Sequence, residues 1–214
     1  MREMLVMAMA RRAGQALTPS VAADILADIF PDKAYAPEQF GRLEYAGYSI
    51  QVEPFRMVLP ELEVLHAAQW AETEKARFGV AMNPNYAYMA EQERAGQLIQ
   101  FTARDAATWE LVGNMRVYMY RDLHAQQLTA REDTYFVLPE HRGGFLAVRL
   151  WQFAEKSVVS VGVREVRFSS KLVNKADRMA KYLKYTPVGT EFIKVFNESG
   201  QPVKEYQCAQ AHQI

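Results

Sequence analysis

Arg142, Gly143 and Gly144 have the residue types and the spacing of an anion-binding loop. They follow an apolar, strand-like run at 135–138, and an amphipathic pattern begins near Phe145. A strand that turns through glycines into a helix leaves backbone N–H groups unpaired at one spot, where the helix dipole favours an anion. Glycines let a phosphate approach closely, and arginine adds a permanent positive charge. The segment predicts a phosphate site, although an ordinary strand-to-helix turn would use the same glycines.

The charge of the chain is unevenly distributed. Its 25 Lys and Arg balance its 25 Asp and Glu. The net charge therefore does not indicate a nucleic-acid or acidic-membrane partner, and it excludes none. Between His141 and Lys194 there are 11 Lys or Arg against 4 Asp or Glu, an excess of +7. A polyanionic ligand would find its countercharge in this stretch.

The composition limits both the architecture and the chemistry. Half of the 214 residues are hydrophobic, which is enough for one substantial core but not for several domains. The single Cys208 excludes an internal disulfide, and the four histidines lack the spacing of metal ligands. The apolar start at 4–10 is too short for a membrane span, and Arg11 and Arg12 follow it. We expect a cytoplasmic protein without a metal or a membrane segment.

Turn-forming residues divide the chain into a helical extension and one domain. In the extension, residues 1–48, Pro19 suits the first turn of a helix that ends at Pro31. Glycines and aromatic residues fill the rest of it. We place the domain at 49–208 and a short tail at 209–214.

Within the domain, the patterns follow the order β, α, α, three β, α, β, α and two β. Strands are predicted near 49–55, 97–104, 109–120, 134–138, 163–168, 191–196 and 203–207, and helices near 61–78, 86–95, from 145 and over 174–185. The polar stretch 121–131 is predicted as a loop. Antiparallel neighbours in the middle and a late βαβ unit predict an α/β (α+β) fold, with a mixed sheet and helices on both faces.

The segment 137–147 resembles the coenzyme A pyrophosphate loop of the GNAT acetyltransferases. That loop usually follows a strand ending in Val-x-Pro and reads Tyr-Arg-Gly-x-Gly-x-Gly or Ala before a helix. Phe145 stands where the family usually has glycine, so its side chain must point away from the phosphates. The residues that the resemblance places against the coenzyme are Val137, Leu138, Arg142, Gly143, Gly144, Phe145, Leu146 and Ala147.

A second resemblance lies downstream, in the stretch 174–185. It is similar to the family pattern Asn-x-x-Ala-x-x-x-Tyr, with the spacing shifted by one residue and without the Gly-Phe that usually follows. The resemblance implies that Asn174 and Arg178 contact the coenzyme. It also implies that Tyr182 protonates the coenzyme thiolate, with Tyr185 as a rival because of the shifted spacing.

The resemblance implies direct transfer of an acetyl group from acetyl-CoA to an amine in a ternary complex. The parallel strands 134–138 and 163–168 would separate to admit the pantetheine arm. Glu132 and Asp133 lie on the expected acceptor side, and they are the candidate bases. Because side chains alternate along a strand, at most one of them can face the site. His124, in the preceding polar loop, is a further candidate base.

The family usually builds its acceptor pocket from the first helix of the domain and the residues just beyond it. Carboxylates and amides there would suit a cationic amine. The residues of this chain that fall in that region are Glu72, Glu74, Asn83, Asn85 and Tyr86.

Three functions remain open from the sequence. The first is an N-acetyltransferase for a small-molecule or protein amine. The second is a non-catalytic GNAT-like module that binds coenzyme or a partner protein. The third is a GNAT-like enzyme that modifies a nucleobase or transfer RNA, with the basic stretch 141–194 on phosphate. The loop and the extra N-terminal helix are similar to those of phage and prophage members, and a homodimer is left open.

Overall fold

A six-stranded sheet forms the frame of the computed structural model, which describes residues 2–72, 74–169 and 177–203. Its strands are β1 (Arg42–Tyr45), β2 (Tyr48–Val52), β3 (Leu98–Asp105), β4 (Leu111–Arg121), β5 (Leu128–Val137) and β6 (Glu165–Arg167). They lie in this order across the sheet, and every neighbouring pair is antiparallel except β5 and β6, which are parallel. A separate hairpin joins β7 (Val195–Phe196) to β8 (Pro202–Val203). The predicted mixed α/β fold is confirmed.

Helices cover both faces of this sheet. They are α1 (Arg2–Ala10), α2 (Pro19–Ile29), α3 (Phe55–Ala71), α4 (Glu74–Arg77), α5 (Tyr86–Arg94), α6 (Leu146–Ser160) and α7 (Asp177–Tyr182). One face packs against α6, and the other packs against α3 and α5. Two apolar clusters, one on each face, therefore hold the sheet between the helices.

Helix α6 is the amphipathic helix predicted after the glycines. Leu146, Leu150 and Ala154 recur at four-residue intervals and are buried, and Trp151 and Phe153 are buried beside them. Burying large apolar side chains contributes about 1.5–3 kcal/mol each. The helix is thereby anchored on the sheet, and its N-terminus is held near the end of β5.

The face of the sheet under α3 carries a layer of buried polar side chains. They are Gln100, Thr102, Arg104, Asn114, Arg116 and Thr134. The guanidinium of Arg104 donates to Glu53 and to Glu61 at 2.8 Å, which compensates for its burial. The side-chain amide of Asn114 has no hydrogen-bond partner in the described part of the chain. Polar side chains therefore lie between the sheet and α3.

The stretch 121–131, which the sequence predicted as a loop, is a loop only in its first half. Strand β5 already begins at Leu128, and Thr129 and Ala130 are buried within it. Its pairing with β4 extends to the partners Leu128 and Arg121. The prediction of a loop was wrong here because cross-strand pairing, which the local apolar pattern does not reveal, extends the strand.

Helix α3 also differs from its predicted bounds of 61–78. It begins at Phe55, where the Glu93 carboxylate accepts a hydrogen bond from the backbone N–H at 2.6 Å. This contact satisfies one of the N–H groups that a helix start leaves open. The helix ends at Ala71, and α4 follows as a separate short helix.

The segment 1–48, predicted as a helical extension, contains α1, α2 and also the edge strand β1. Arg12 donates to Asp28 at 2.7 Å and joins the two helices. Strand β1 leads to β2 through Ala46 and Gly47, whose positive φ values of 46° and 83° form a tight turn. The boundary after residue 48 stays a prediction. Over the described residues, no helix is long and apolar enough to cross a membrane.

Candidate active site

Strands β5 and β6 separate after a short parallel contact. They pair only at Thr129 with Glu165, Ala130 with Val166, and Arg131 with Arg167. Beyond this point β5 continues to Val137, and no strand in the described ranges pairs with its outer edge. Backbone N–H and C=O groups along that edge are therefore available to another extended group.

The loop 138–145 connects β5 to α6 and contains Gly143 and Gly144. Neither glycine has a positive φ, and a Cβ added to either would meet no atom within 4 Å. Backbone conformation and packing therefore do not explain why these residues are glycines. The N–H groups of Gly143, Gly144 and Phe145 have no hydrogen-bond acceptor among the described residues. These donors lie at the N-terminus of α6, whose dipole favours an anion.

The side chain of Arg142 turns away from these N–H groups. Its Nε donates to the carbonyl oxygen of Val137 at 2.7 Å, and its Nη2 donates to Oε1 of Glu72 at 2.9 Å. The guanidinium also lies 5.0 Å from the centre of the Phe136 ring. The arginine predicted to supply charge to a phosphate thus forms an ion pair with a residue predicted in the acceptor pocket.

Tyr182 lies beside this loop. Its ring is 6.1 Å from that of Phe145, and the two side chains are 60% and 52% exposed. Tyr185, the rival candidate, is turned inward: its hydroxyl accepts from Trp151 Nε1 at 2.9 Å and donates to Glu155 at 2.5 Å. Burial, followed by the Glu155 carboxylate, raises the pKa of Tyr185. Of these two tyrosines, Tyr182 is the one near the loop.

The opening between β5 and β6 contains a tyrosine that sequence reasoning missed. The Tyr135 ring packs edge-on against Trp151 at 5.4 Å, and its hydroxyl donates to the sulfur of Met179 on α7 at 3.3 Å. Burial raises the pKa of Tyr135, so it stays protonated near neutral pH. In the sequence, an aromatic residue at an alternating strand position looks the same whether it lines a binding site or packs in the core. Tyr135 could therefore not be identified from the pattern.

A β-bulge in β5 sets the positions of the two predicted carboxylates. Arg116 pairs with Thr134 and Val117 pairs with Glu132, so Asp133 is the extra residue. Oδ2 of Asp133 accepts from Arg116 at 2.9 and 2.7 Å, whereas its Oδ1 has no partner among the residues the structure describes. The Asp133 side chain is 39% exposed. It is therefore held on the α3 side of the sheet with one oxygen available.

Glu132 is oriented differently from Asp133. Its carboxylate accepts a hydrogen bond from the backbone N–H of Ser169, just after β6, at 3.4 Å. Because of the bulge, Glu132 pairs with Val117, which belongs to the apolar cluster under α6, whereas Thr134 pairs with Arg116 and donates to Gln69 of α3. Asp133 and Glu132 are therefore not brought together on one side.

A buried histidine supports Asp133 through Arg116. His66 Nε2 lies 3.5 Å from Nη1 of Arg116, and His66 Nδ1 lies 3.2 Å from the hydroxyl of Tyr86. Burial, followed by the positive charge of Arg116, lowers the pKa of His66 to about 4. The imidazole is therefore neutral near pH 7, with Nε2 as acceptor and Nδ1–H as donor. The only sequence feature that indicates a buried His66 is its position next to Leu65, on the apolar face of α3.

The other predicted site residues are scattered. Val137 and Leu146 are buried in the core, Leu138 and Ala147 are half-buried, and Arg178 is exposed on α7. Asn174 lies outside the described residues. Two predicted site residues lie elsewhere: His124 is exposed in the β4–β5 turn, at the end of β5 opposite the loop, and Asn85 caps α5 by accepting from the N–H of Tyr88 at 3.0 Å.

Comparison with protein-family models and with curated proteins gives no match. Solved structures do match. The ribosomal-protein-alanine N-acetyltransferase from Brucella melitensis biovar Abortus 2308 is 16% identical, with a TM-score of 0.53 over 70% of this chain and 99% of that one. The aminoglycoside acetyltransferase meta-AAC0020, from an uncultured soil metagenomic sample and in complex with sisomicin, is 13% identical, with a TM-score of 0.53 over 71% and 95%.

A third match carries a coenzyme analogue. AAC(6')-Iy, in complex with the bisubstrate analogue CoA-S-monomethyl-acetylneamine, is 17% identical, with a TM-score of 0.55 over 69% of this chain and 97% of that one. At these identities the likeness shows the fold. This chain has the GNAT-like fold of those acetyltransferases, as its sequence predicted.

Proposed function

We propose that this protein is an acyl-CoA-dependent N-acetyltransferase that transfers an acetyl group from acetyl-CoA to an amine within a ternary complex. One observation carries the proposal. Gly143 and Gly144 are required neither by backbone conformation nor by packing, and free N–H groups accompany them at the start of α6. Close approach of a phosphate explains both features. The coenzyme analogue bound by one neighbour of the same fold supports this reading.

The coenzyme would lie along the loop and the free edge of β5. The N–H groups of Gly143, Gly144 and Phe145 would donate to its diphosphate, and the pantetheine amides would pair with β5 where β6 has separated. Arg178 and Asn174 stay proposed contacts to the same ligand.

The acceptor amine would approach from the α3 side, where Asp133 offers its free Oδ1. This carboxylate would bind the ammonium and remove its proton. The amine nitrogen would then attack the thioester carbonyl, and the C–S bond would break. The nitrogen would lose its second proton to solvent as the amide forms, and the thiolate would take up a proton. Tyr182, which lies beside the loop, is the proposed donor of that proton. Holding both reactants in one complex contributes about 7–11 kcal/mol at best.

Ligand-induced stabilisation and thiol release test the proposal in two stages. Acetyl-CoA at about 100 times its Kd should stabilise the fold by about 2.7 kcal/mol. Release of free thiol is then measured with aminoglycosides, polyamines, peptide N-termini and transfer RNA as acceptors. Turnover that falls in Tyr182→Phe and in Asp133→Asn without loss of coenzyme binding is the expected result. Absence of any stabilisation by acetyl-CoA or CoA would refute coenzyme binding, and binding without thiol release would favour a non-catalytic module.

A further inference from the structure

A cleft of about 210 Å³ lies beside the loop, on the flank away from the opening between β5 and β6. One wall is the β1–β2 turn, with Tyr45, Ala46 and Tyr48, and the other is the loop itself, from Glu140 to Leu146. Strands β1 and β2 stand at the opposite edge of the sheet from β6. The cleft therefore lies between the loop and the edge of the sheet opposite β6.

Aromatic rings and hydrogen-bonding groups line this cleft. The Tyr48 hydroxyl lies 2.9 Å from Nδ1 of His141, and the two rings meet edge to face at 5.6 Å. This contact leaves Nε2 of His141 without a partner among the described residues. The Arg149 guanidinium lies 5.3 Å from the Tyr45 ring. The cleft thus offers ring faces, a ring nitrogen and, from Glu140, a carboxylate.

The size and chemistry of the cleft favour one flat heterocycle. Pockets for drug-sized ligands usually measure about 300–1,000 Å³, so a whole ligand of that size would not fit. A purine could stack on the aromatic side chains and form hydrogen bonds with His141 Nε2 and with Glu140. Each of these groups lines the cleft or touches a residue that does.

The direction of the proposed coenzyme leads to the same place. Gly143 and Gly144, whose N–H groups would hold the diphosphate, also line the cleft. A diphosphate in coenzyme A has two substituents. If the pantetheine leaves towards the opening, past Tyr182, the cleft on the β1–β2 side is the place left for the adenosine. We infer that the cleft between the β1–β2 turn and the loop binds the adenine end of the coenzyme, an inference that rests on the proposed function.

The inference is tested by binding of two ligands that differ at the adenosine end. Calorimetry gives the Kd of acetyl-CoA and of acetyl-4′-phosphopantetheine, which lacks the nucleotide. Tyr45→Ala and His141→Ala should weaken acetyl-CoA binding about tenfold, the scale of one lost base–aromatic contact, and leave the truncated ligand unaffected. Tyr88→Ala removes an exposed tyrosine on α5, over the other face of the sheet, and should change neither Kd.

The outcomes separate the two proposals. If wild-type protein binds neither ligand, coenzyme binding itself is refuted. Suppose that the wild-type protein binds both ligands, and that the cleft variants raise the Kd of both ligands equally or of neither. The adenine site is then refuted, and coenzyme binding stands. Tyr45→Leu keeps apolar bulk on the edge strand and serves if Tyr45→Ala does not fold. Binding of free ADP that is as sensitive to Tyr45→Leu as that of acetyl-CoA would also support the site.

Discussion

Arg142 and Glu72 form an ion pair, with Nη2 of the arginine 2.9 Å from Oε1 of the glutamate, that joins the loop before α6 to the C-terminus of α3. Both side chains are about two-fifths exposed, at 41% and 43%. The pair links the proposed coenzyme loop to the segment predicted to line the acceptor pocket. A bound diphosphate would therefore compete with Glu72 for the permanent positive charge of the loop.

Removal of this competing charge should strengthen coenzyme binding. An exposed ion pair contributes about 0.2–1 kcal/mol, so Glu72→Gln should lower the Kd of acetyl-CoA by up to about fivefold. Calorimetry measures the change. Glu63→Gln makes the same charge change on an exposed position of α3 and should leave the Kd unaltered. Weaker binding in Glu72→Gln would show that the glutamate positions Arg142 for the ligand instead.

Alanine substitutions in the loop should separate ligand binding from folding. Gly143→Ala and Gly144→Ala place a Cβ in open space, so thermal unfolding should stay within about 0.5 kcal/mol of wild type. The Kd of acetyl-CoA should rise at least about tenfold, because the methyl group occupies the approach of the phosphate.

A third glycine provides the matched control. A Cβ at Gly113 would lie 3.1 Å from the Val137 side chain and 3.2 Å from the carbonyl oxygen of Phe136. Gly113→Ala should therefore cost about 1–3 kcal/mol of stability. If the loop variants lost stability as Gly113→Ala does, the glycines would have a structural role and the argument for a phosphate would fail.

The ion pair between Arg116 and Asp133 should be worth more to stability than its partly exposed carboxylate indicates. The Arg116 side chain is only 5% exposed, so Asp133→Asn leaves a buried charge without a counter-charge. We expect a loss of about 1–3 kcal/mol, less than the ~3–5 kcal/mol of a fully buried pair. Chemical denaturation measures it, and the double variant Arg116→Met/Asp133→Asn should recover most of the loss. A double variant less stable than Asp133→Asn would contradict this explanation.

His66 should make the fold less stable in acid. Burial lowers its pKa from 6.5 to about 4 in the folded state, so between these values the unfolded chain binds a proton that the folded chain does not. The contribution of His66 is fully present above about pH 6.5 and is lost as the pH falls towards about 4. On going from about pH 7.5 to 4.5, wild type should lose roughly 2–3 kcal/mol more than His66→Gln. Equal losses in the two proteins would rule out this histidine as the cause.

Much of the fold could be predicted because apolar periodicity encodes it locally. Leu146, Leu150 and Ala154 mark the buried face of α6, and this face is visible in the sequence as a four-residue repeat. Upstream of the glycines the pattern is typical of a strand, and downstream it has the four-residue repeat of a helix. This change of period predicts the place of the loop between β5 and α6.

The rest depends on contacts between distant parts of the chain. The polar start of β5 is a strand because β4 pairs with it, and the bulge at Asp133 is set by that register. Arg142 forms an ion pair with Glu72, which lies 70 positions earlier in the sequence. No local pattern indicates either partner, so the charged residues of the site were identifiable by type while their pairings were not.

We expect the short contact between β5 and β6 to make β6 a late element in folding. Strands β1 to β5 are antiparallel neighbours in sequence order, whereas β6 can join only after α6 has crossed the sheet, and it does so through three residue pairs. Closing a long loop is slow, and three residue pairs add little stability in return. The amide hydrogens of β6 should therefore exchange with solvent through a low-energy local opening, while those of β3 and β4 exchange only on global unfolding.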